Sequence, residues 1–379
     1  MRVLLVTWTE QLLAKLSVLN PELEYCAIVV DEVEPAKKVL ERVGLPKDLL
    51  YPMYELKECV RDFYYDYVLC VENWFDATAL TEKVREYGAP KDKVLNSAPH
   101  AVNNFVLERS LRYFKAHATE FEMFATGISY VEAGLDVTRF KRKLFNFGRG
   151  SQDLYYNFRV AKQAVIYGGG HSSIRYALIG LAPYSFHYDQ SKTLNPLNHC
   201  RLWQYLIAFG DLHNFYASVE DCKKIFRAEY LNARLPLEPF DLNNPHMTPK
   251  LTQRFMTPQN RLDARKQIDT WKEKYFPETR AENVKILDDY LTLCEDNGIR
   301  PIMFLPPMTE GYMKHFSRQR LDEFYHLVRQ ACQKHLSAVF VDGWKLSGLT
   351  DSDFLDVDHL NHLGAPKFST FLNNVIESL

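Results

Sequence analysis

Short runs of apolar, β-branched and aromatic residues recur along this chain, and segments with helical spacing separate them. That alternation limits the fold more than any other feature. Residues 3–8 (Val-Leu-Leu-Val-Thr-Trp), 25–30 (Tyr-Cys-Ala-Ile-Val-Val) and 67–71 (Tyr-Val-Leu-Cys-Val) read as buried strands. Segments 35–43 and 77–87 carry helical periodicity. After a polar, helical stretch at 98–118 the alternation resumes, with strands predicted at 121–126, 143–147, 176–182, 301–305 and 338–342 and helices at 281–297 and 318–335. Strands alternating with helices predict parallel sheets covered on both faces.

At 379 residues the chain exceeds what one core usually supports. Two domains are therefore expected: a Rossmann-like α/β unit over 1–112 and a second α/β unit over 113–379. The stretch 187–280, rich in Asn, Pro, His and aromatics, is too long for a connection and is expected to be a helical insertion over the edge of the second sheet.

A net charge of −2 provides no long-range field to gather nucleic acid or anionic lipid, so nucleic acid is not an expected partner. The seven cysteines occur singly, without a CxxC pair, and read as reduced core thiols. The N-terminal apolar run is too short for a signal-peptide core, and nothing approaches the roughly 20 apolar residues of a spanning helix. The expectation is a cytoplasmic chain with no integral membrane segment.

The first strand ends in Thr7-Trp8-Thr9-Glu10 rather than in the glycine-rich turn that lets a pyrophosphate approach the backbone. Asp31 after the second strand can hold a ribose hydroxyl or cap the next helix. The N-terminal unit is thus Rossmann-like in order, and no cofactor is expected from it.

Two constellations bear on chemistry. Gly127-Ile128-Ser129 follows a predicted strand, where the carboxyl ends of parallel strands open onto a crevice. Ser129 there is either a helix cap or an exposed nucleophile. Near the other end stands Asp353-Phe354-Leu355-Asp356-Val357-Asp358-His359-Leu360-Asn361-His362. A neutral imidazole is the usual base for a serine hydroxyl, and a carboxylate three residues earlier on a tight turn can fix its tautomer. Asp356 and His359 have that spacing. His359 and His362 beside three aspartates are also a grouping of the kind that binds divalent ions, but no matching partner stands elsewhere, and no metal is expected.

Gly-Ile-Ser with Gly134 five positions past the serine, together with Asp-Val-Asp-His near the end, resembles the first and last blocks of the SGNH/GDSL hydrolases. Ile128 departs from the aspartate usual in the first block. The resemblance implies a flavodoxin-like α/β/α fold for the second domain and a serine esterase or O-acyltransferase acting on an acylated, typically acetylated, carbohydrate or similar polar ester. It implies Ser129, Asp356 and His359 as the catalytic residues, with oxyanion donors from the Ser129 amide and, in the second block, Gly150 of Gly148-Arg149-Gly150-Ser151. The third block normally supplies an asparagine; here Ala182-Pro183-Tyr184-Ser185 stands in its place, and Tyr184 or Ser185 is the candidate replacement and substrate contact. The flavour is closest to proteins of surface-polymer modification, such as alginate acetylation enzymes and the D-alanyl transfer protein of teichoic acid assembly. A scaffold of this kind that binds or assembles without turnover is the alternative, given Ile128 and the absent asparagine. Aromatics between Tyr184 and Tyr216 are either a sugar-stacking wall or the insertion's own core.

Overall fold

A computed structural model of the chain describes residues 1–98, 103–168, 173–193, 195–233, 252–260, 262 and 274–379. In chain order the elements are β1 (Arg2–Val6), α1 (Leu12–Ser17), β2 (Glu24–Val30), α2 (Val33–Val43), β3 (Leu50–Pro52), α3 (Leu56–Asp62), β4 (Tyr67–Val71), α4 (Trp74–Glu86), β5 (Val94–Ser97) and α5 (Asn103–His117). They continue with β6 (Met123–Thr126), α6 (Ser129–Gly134), β7 (Leu144–Asn146), α7 (Leu154–Gly168), β8 (Tyr176–Gly180), α8 (Pro196–Phe209), α9 (Val219–Ile225) and α10 (Ala228–Leu231). The last are α11 (Arg280–Asp296), β9 (Arg300–Leu305), α12 (Glu310–Met313), α13 (Arg318–Lys334), β10 (Val339–Asp342) and α14 (Gly364–Glu377). The α/β class expected from the alternation is the one observed.

Two compact units result: Met1–Glu108 with Ser191–Phe240, and Arg109–Gln190 with Asp241–Leu379. The first unit ends at 108 rather than 112, and it also takes back a later segment. Its sheet is fully parallel, in the order β3-β2-β1-β4-β5. The two-residue period of a strand shows directly in the packing: Val3, Leu5, Ile28 and Val30 join one core, while Leu4, Val6, Ala27 and Val29 join the other. Both faces are buried, which is why the strands read as continuous apolar runs.

Helices α8–α10 cover one of these faces, with Trp203, Leu206, Ile225, Phe226 and Tyr230 in the same core as Val3 and Leu5. The Trp203 indole donates to the Asn96 carbonyl at 2.7 Å. The expectation that 187–280 packs over the second sheet is thus corrected for 191–233, which completes the first unit instead. The remainder at 234–251, 261 and 263–273 lies outside the described residues. Tyr184, Phe186, Tyr188, Trp203 and Tyr205 are buried, so these aromatics are core rather than a sugar-stacking wall.

Strand order in the first sheet reverses between β1 and β4, the place where such sheets commonly hold ligands. Here several of the chain's own side chains meet. Glu72, just past β4, is buried and ion-paired with Lys15 of α1, and its Oε1 also accepts from the Trp8 amide at 2.6 Å. The Thr7 hydroxyl lies 2.7 Å from the same oxygen. Asp31 does not cap α2: its Oδ1 accepts from the Thr9 amide at 2.6 Å and closes the turn after β1.

The second sheet is also fully parallel, in the order β10-β9-β8-β6-β7. Numbered within the unit this is 2-1-3-4-5, the flavodoxin-like order, with the reversal between β6 and β8. Met123, Ala125, Leu178, Ile302 and Phe304 face Phe368, Leu372 and Ile376 of α14, while Phe124, Ala177, Ile179 and Met303 on the other face are buried as well. All seven cysteines are free. Among the described residues no helix is long and apolar enough to cross a membrane.

At the reversal point α6 lies unusually close to the strand ends. A methyl group on Gly127 would sit 2.2 Å from Val131 Cγ2, and one on Gly180 would sit 2.0 Å from the same atom. Gly127 also has φ of 154°, a conformation that L side chains rarely adopt. Only glycines at the ends of β6 and β8 let Val131 seat there, and that seating sets where α6 begins.

Two outcomes follow for stability. Gly180→Ala is expected to cost about 1–3 kcal/mol through overpacking, and the penalty should shrink in a Val131→Ala background when both are measured by urea unfolding; an unchanged penalty would show that Val131 is not the obstacle. Lys15→Met should cost about 3–5 kcal/mol by stranding the Glu72 charge. Adding Glu72→Leu should recover most of that loss, and a double variant no more stable than Lys15→Met would contradict this account of the pair.

Candidate active site

Ser129 is the first residue of α6, placed by the sharp passage from β6 through Gly127 and Ile128. Ile128 has extended backbone and is buried among Tyr130, Tyr184, Met308 and Val357. It occupies the position where an aspartate was the usual residue, and its role here is packing.

The loop after β7 is tied to this turn. Arg149 N donates to the Gly127 carbonyl at 3.0 Å. Asn146 bridges the two segments, its Nδ2 donating to Val131 O at 3.0 Å and its Oδ1 accepting from Gly148 N at 2.8 Å. A methyl group on Gly148 would meet the Glu132 amide at 2.6 Å, so the loop rests directly on the first turn of α6. Gly150 follows two residues later, partly exposed, beside Ser151, whose φ of 66° is uncommon for a residue with a side chain.

The other half of the site is the loop 353–361, closed by its own hydrogen bonds. Leu355 N donates to His359 O at 2.8 Å and Asn361 N to Asp353 O at 3.0 Å. Asp353, buried beneath it, pairs with Lys367 at 2.8 Å. Thr309, past the end of β9, donates to Val357 O from its amide at 3.0 Å and its hydroxyl at 2.8 Å. Asp356 Oδ1 accepts from the amides of Asp358 at 3.1 Å and His359 at 2.8 Å, which curls the loop and turns the imidazole toward α6.

The result brings together three residues that sequence spacing had singled out. Ser129 Oγ lies 2.8 Å from His359 Nε2, across 230 residues of chain. His359 Nδ1 lies 3.0 and 3.1 Å from the two oxygens of Asp356. Carboxylates only accept, so in the neutral ring Nδ1 carries the proton and Nε2 is left to accept from the serine. Ser129, Asp356 and His359 are each partly exposed, so the pair is reachable from solvent.

Two further residues, given no catalytic role by the sequence, join them. Asp358 Oδ1 lies 2.9 Å from the same His359 Nδ1, and its other oxygen accepts from Tyr130 OH at 2.9 Å. Tyr130 in turn accepts from Tyr184 OH at 3.1 Å. Burial opposes charge on His359, but the Asp358 charge and the hydrogen bonds to both acids prevail and hold its pKa well above the usual histidine range. Burial likewise opposes charge on Asp358, yet the His359 charge and the hydrogen bonds it receives keep its carboxyl below the usual range. Burial, reinforced by the Asp358 charge, pushes the Tyr130 hydroxyl well up.

The remaining expected residues are placed differently. The Tyr184 hydroxyl is spent on Tyr130, and the Ser185 hydroxyl accepts from the Ala182 amide at 2.8 Å to close the turn after β8. The Tyr184 proton is thus committed to Tyr130, whereas Ser185 engages the Ala182 amide only as an acceptor. His362 does not join His359; its Nδ1 faces the Thr252 carbonyl at 3.2 Å. Asp356, Asp358 and His359 bring potential ligand atoms within 4.8 Å of one another; in this grouping Nδ1 is hydrogen-bonded to Asp356 and ion-paired with Asp358.

No protein-family model matches the chain, and no curated protein matches it. Among solved structures, one from Streptococcus pneumonia described as "a putative platelet activating factor" is similar over 79% of this chain and 99% of its own, at 10% identity and a TM-score of 0.40. A likeness at that level leaves the function to the side-chain geometry.

Asn146→Ala would strand the Val131 carbonyl and the Gly148 amide in a buried place. The expected cost is about 1–3 kcal/mol, read as a lowered urea midpoint. A midpoint equal to that of the unaltered chain would mean that the two segments are held by other contacts.

Proposed function

We propose that the second unit is a serine-dependent esterase or O-acyltransferase of the SGNH type, acting on a polar acyl ester such as an acetylated carbohydrate. The observation that carries this reading is the line Ser129 Oγ, His359 Nε2, His359 Nδ1, Asp356, with steps of 2.8 Å and 3.0 Å. Ser129 Oγ attacks the acyl carbonyl while His359 Nε2 takes its proton. Asp356 holds the tautomer and the imidazolium that forms. The tetrahedral oxyanion falls at the start of α6, where the Ser129 and Gly150 amides are the donors assigned to it. On collapse the C–O bond to the leaving alcohol breaks and His359 returns the proton to it, leaving an acyl-serine. Water, or a sugar hydroxyl in a transferase, is deprotonated by the same imidazole and releases the acyl group.

The carbohydrate class comes from the family resemblance, and its test is a comparison of acetylated sugars with simple acetyl esters. Ser129→Ala is expected to lower the hydrolysis of p-nitrophenyl acetate at least about 10³-fold. Retention of full hydrolysis in that variant would rule the mechanism out.

One observation favours a second reading, a scaffold that binds without turnover. The third-block position holds no asparagine, and the Tyr184 hydroxyl already donates to Tyr130. Loss of one oxyanion donor typically costs about 10²–10³ in rate. Wild-type protein no faster than Ser129→Ala on every ester tested would favour the scaffold.

A further inference from the structure

We propose that Asp358 is a second positioning carboxylate for His359, its charge set against the imidazole beside the Nδ1–H that Asp356 accepts, so that the site holds its ring between two acids rather than one. The proposal rests on the serine-hydrolase reading for its purpose, but its geometry stands apart from it. Asp358 Oδ1 is 2.9 Å from Nδ1, no farther than either oxygen of Asp356. The two acids are also built for different tasks. Asp356 Oδ1 is occupied by two backbone amides and is partly exposed, as befits a residue that shapes the turn. Asp358 is 8% exposed, and its second oxygen is held by Tyr130.

A buried carboxylate beside a histidine keeps its charge only where donors compensate for lost water. The groups facing this one are the Tyr130 hydroxyl from α6, backed by Tyr184 from the loop after β8, Tyr312 from α12, and His359 and the Asp356 carboxylate from its own loop. Burial pushes the Tyr130 and Tyr312 hydroxyls well up, so both stay neutral at any ordinary pH. The charge balance at Nδ1 is therefore set by the two acids and the imidazole alone.

The sign for activity follows. His359 must be neutral at Nε2 to accept the serine proton, so the acids that stabilise its charged form move the acid limb of the rate profile to higher pH. Removing one acid should move that limb down while weakening support for the imidazolium formed during attack. Asp356→Asn alone should leave Asp358 in place and spare part of the rate, in contrast to the loss of about 10⁴ seen when a lone triad acid becomes an amide.

The test is a titration of the His359 ring by NMR in the full chain with ¹⁵N-labelled histidine, assigned by His359→Gln, in the wild type, Asp358→Asn and Asp356→Asn. Asp358→Asn is expected to lower the titration midpoint by about one pH unit or more, and Asp356→Asn to leave it above the ordinary histidine value. An unmoved midpoint in Asp358→Asn, or an ordinary one in Asp356→Asn, overturns the proposal. If Asp358→Asn does not fold, the Asp356→Asn midpoint decides alone. Because the ring is read without substrate, a failed hydrolase reading, shown by an inert Ser129→Ala substitution, stays distinguishable from a failed role for Asp358.

Discussion

The site depends on the seating of Val131 against two glycines. Its Cγ2 occupies the space that side chains at Gly127 and Gly180 would need, which draws α6 onto the ends of β6 and β8 and fixes the start of the helix. Ser129 is the residue at that start, so a packing constraint in the core becomes a positional constraint on a hydroxyl. The loop after β7 and the loop 353–361 are then built onto this point, the first through Asn146 and Arg149, the second through Thr309 and its own internal hydrogen bonds. Each is braced independently of any ligand, as a preorganised site requires.

Much of the fold was legible because both sheets are parallel and buried on both faces, which writes each strand as an apolar run. β3 and β5 escaped notice for a local reason: β3 is Leu-Tyr-Pro, half-buried and ending in a proline, and β5 has only Val94 and Leu95 as apolar residues before Asn96 and Ser97. The placement of α8–α10 was misread for a different reason. An amphipathic helix carries a buried face but no mark of which sheet it will cover, and Trp203 and Phe226 serve the first sheet as well as they would the second.

In the site, Ser129, Asp356 and His359 were legible because their geometry is local. A serine at a strand-to-helix turn and an acid three residues before a histidine each encode a direction in a few residues. Asp358 and Tyr130 were not. Where Asp358 points depends on the curl that Asp356 imposes by binding two amides, and Tyr130 finds its partner 228 residues away. The partner of Tyr184 was hidden for a related reason: sequence shows a hydroxyl but not the Tyr130 oxygen to which it donates. In the first unit the same blindness applied to Lys15 and Glu72, which form a buried ion pair where the strand order reverses.

The central claim is that Ser129 is an activated nucleophile. Its most direct test is reaction of the folded chain with a fluorophosphonate probe, followed by peptide mass spectrometry to locate the adduct. The account predicts one adduct, on Ser129, and none in His359→Gln. Folded protein that is unlabelled, or labelled at another residue with Ser129 untouched, would contradict it.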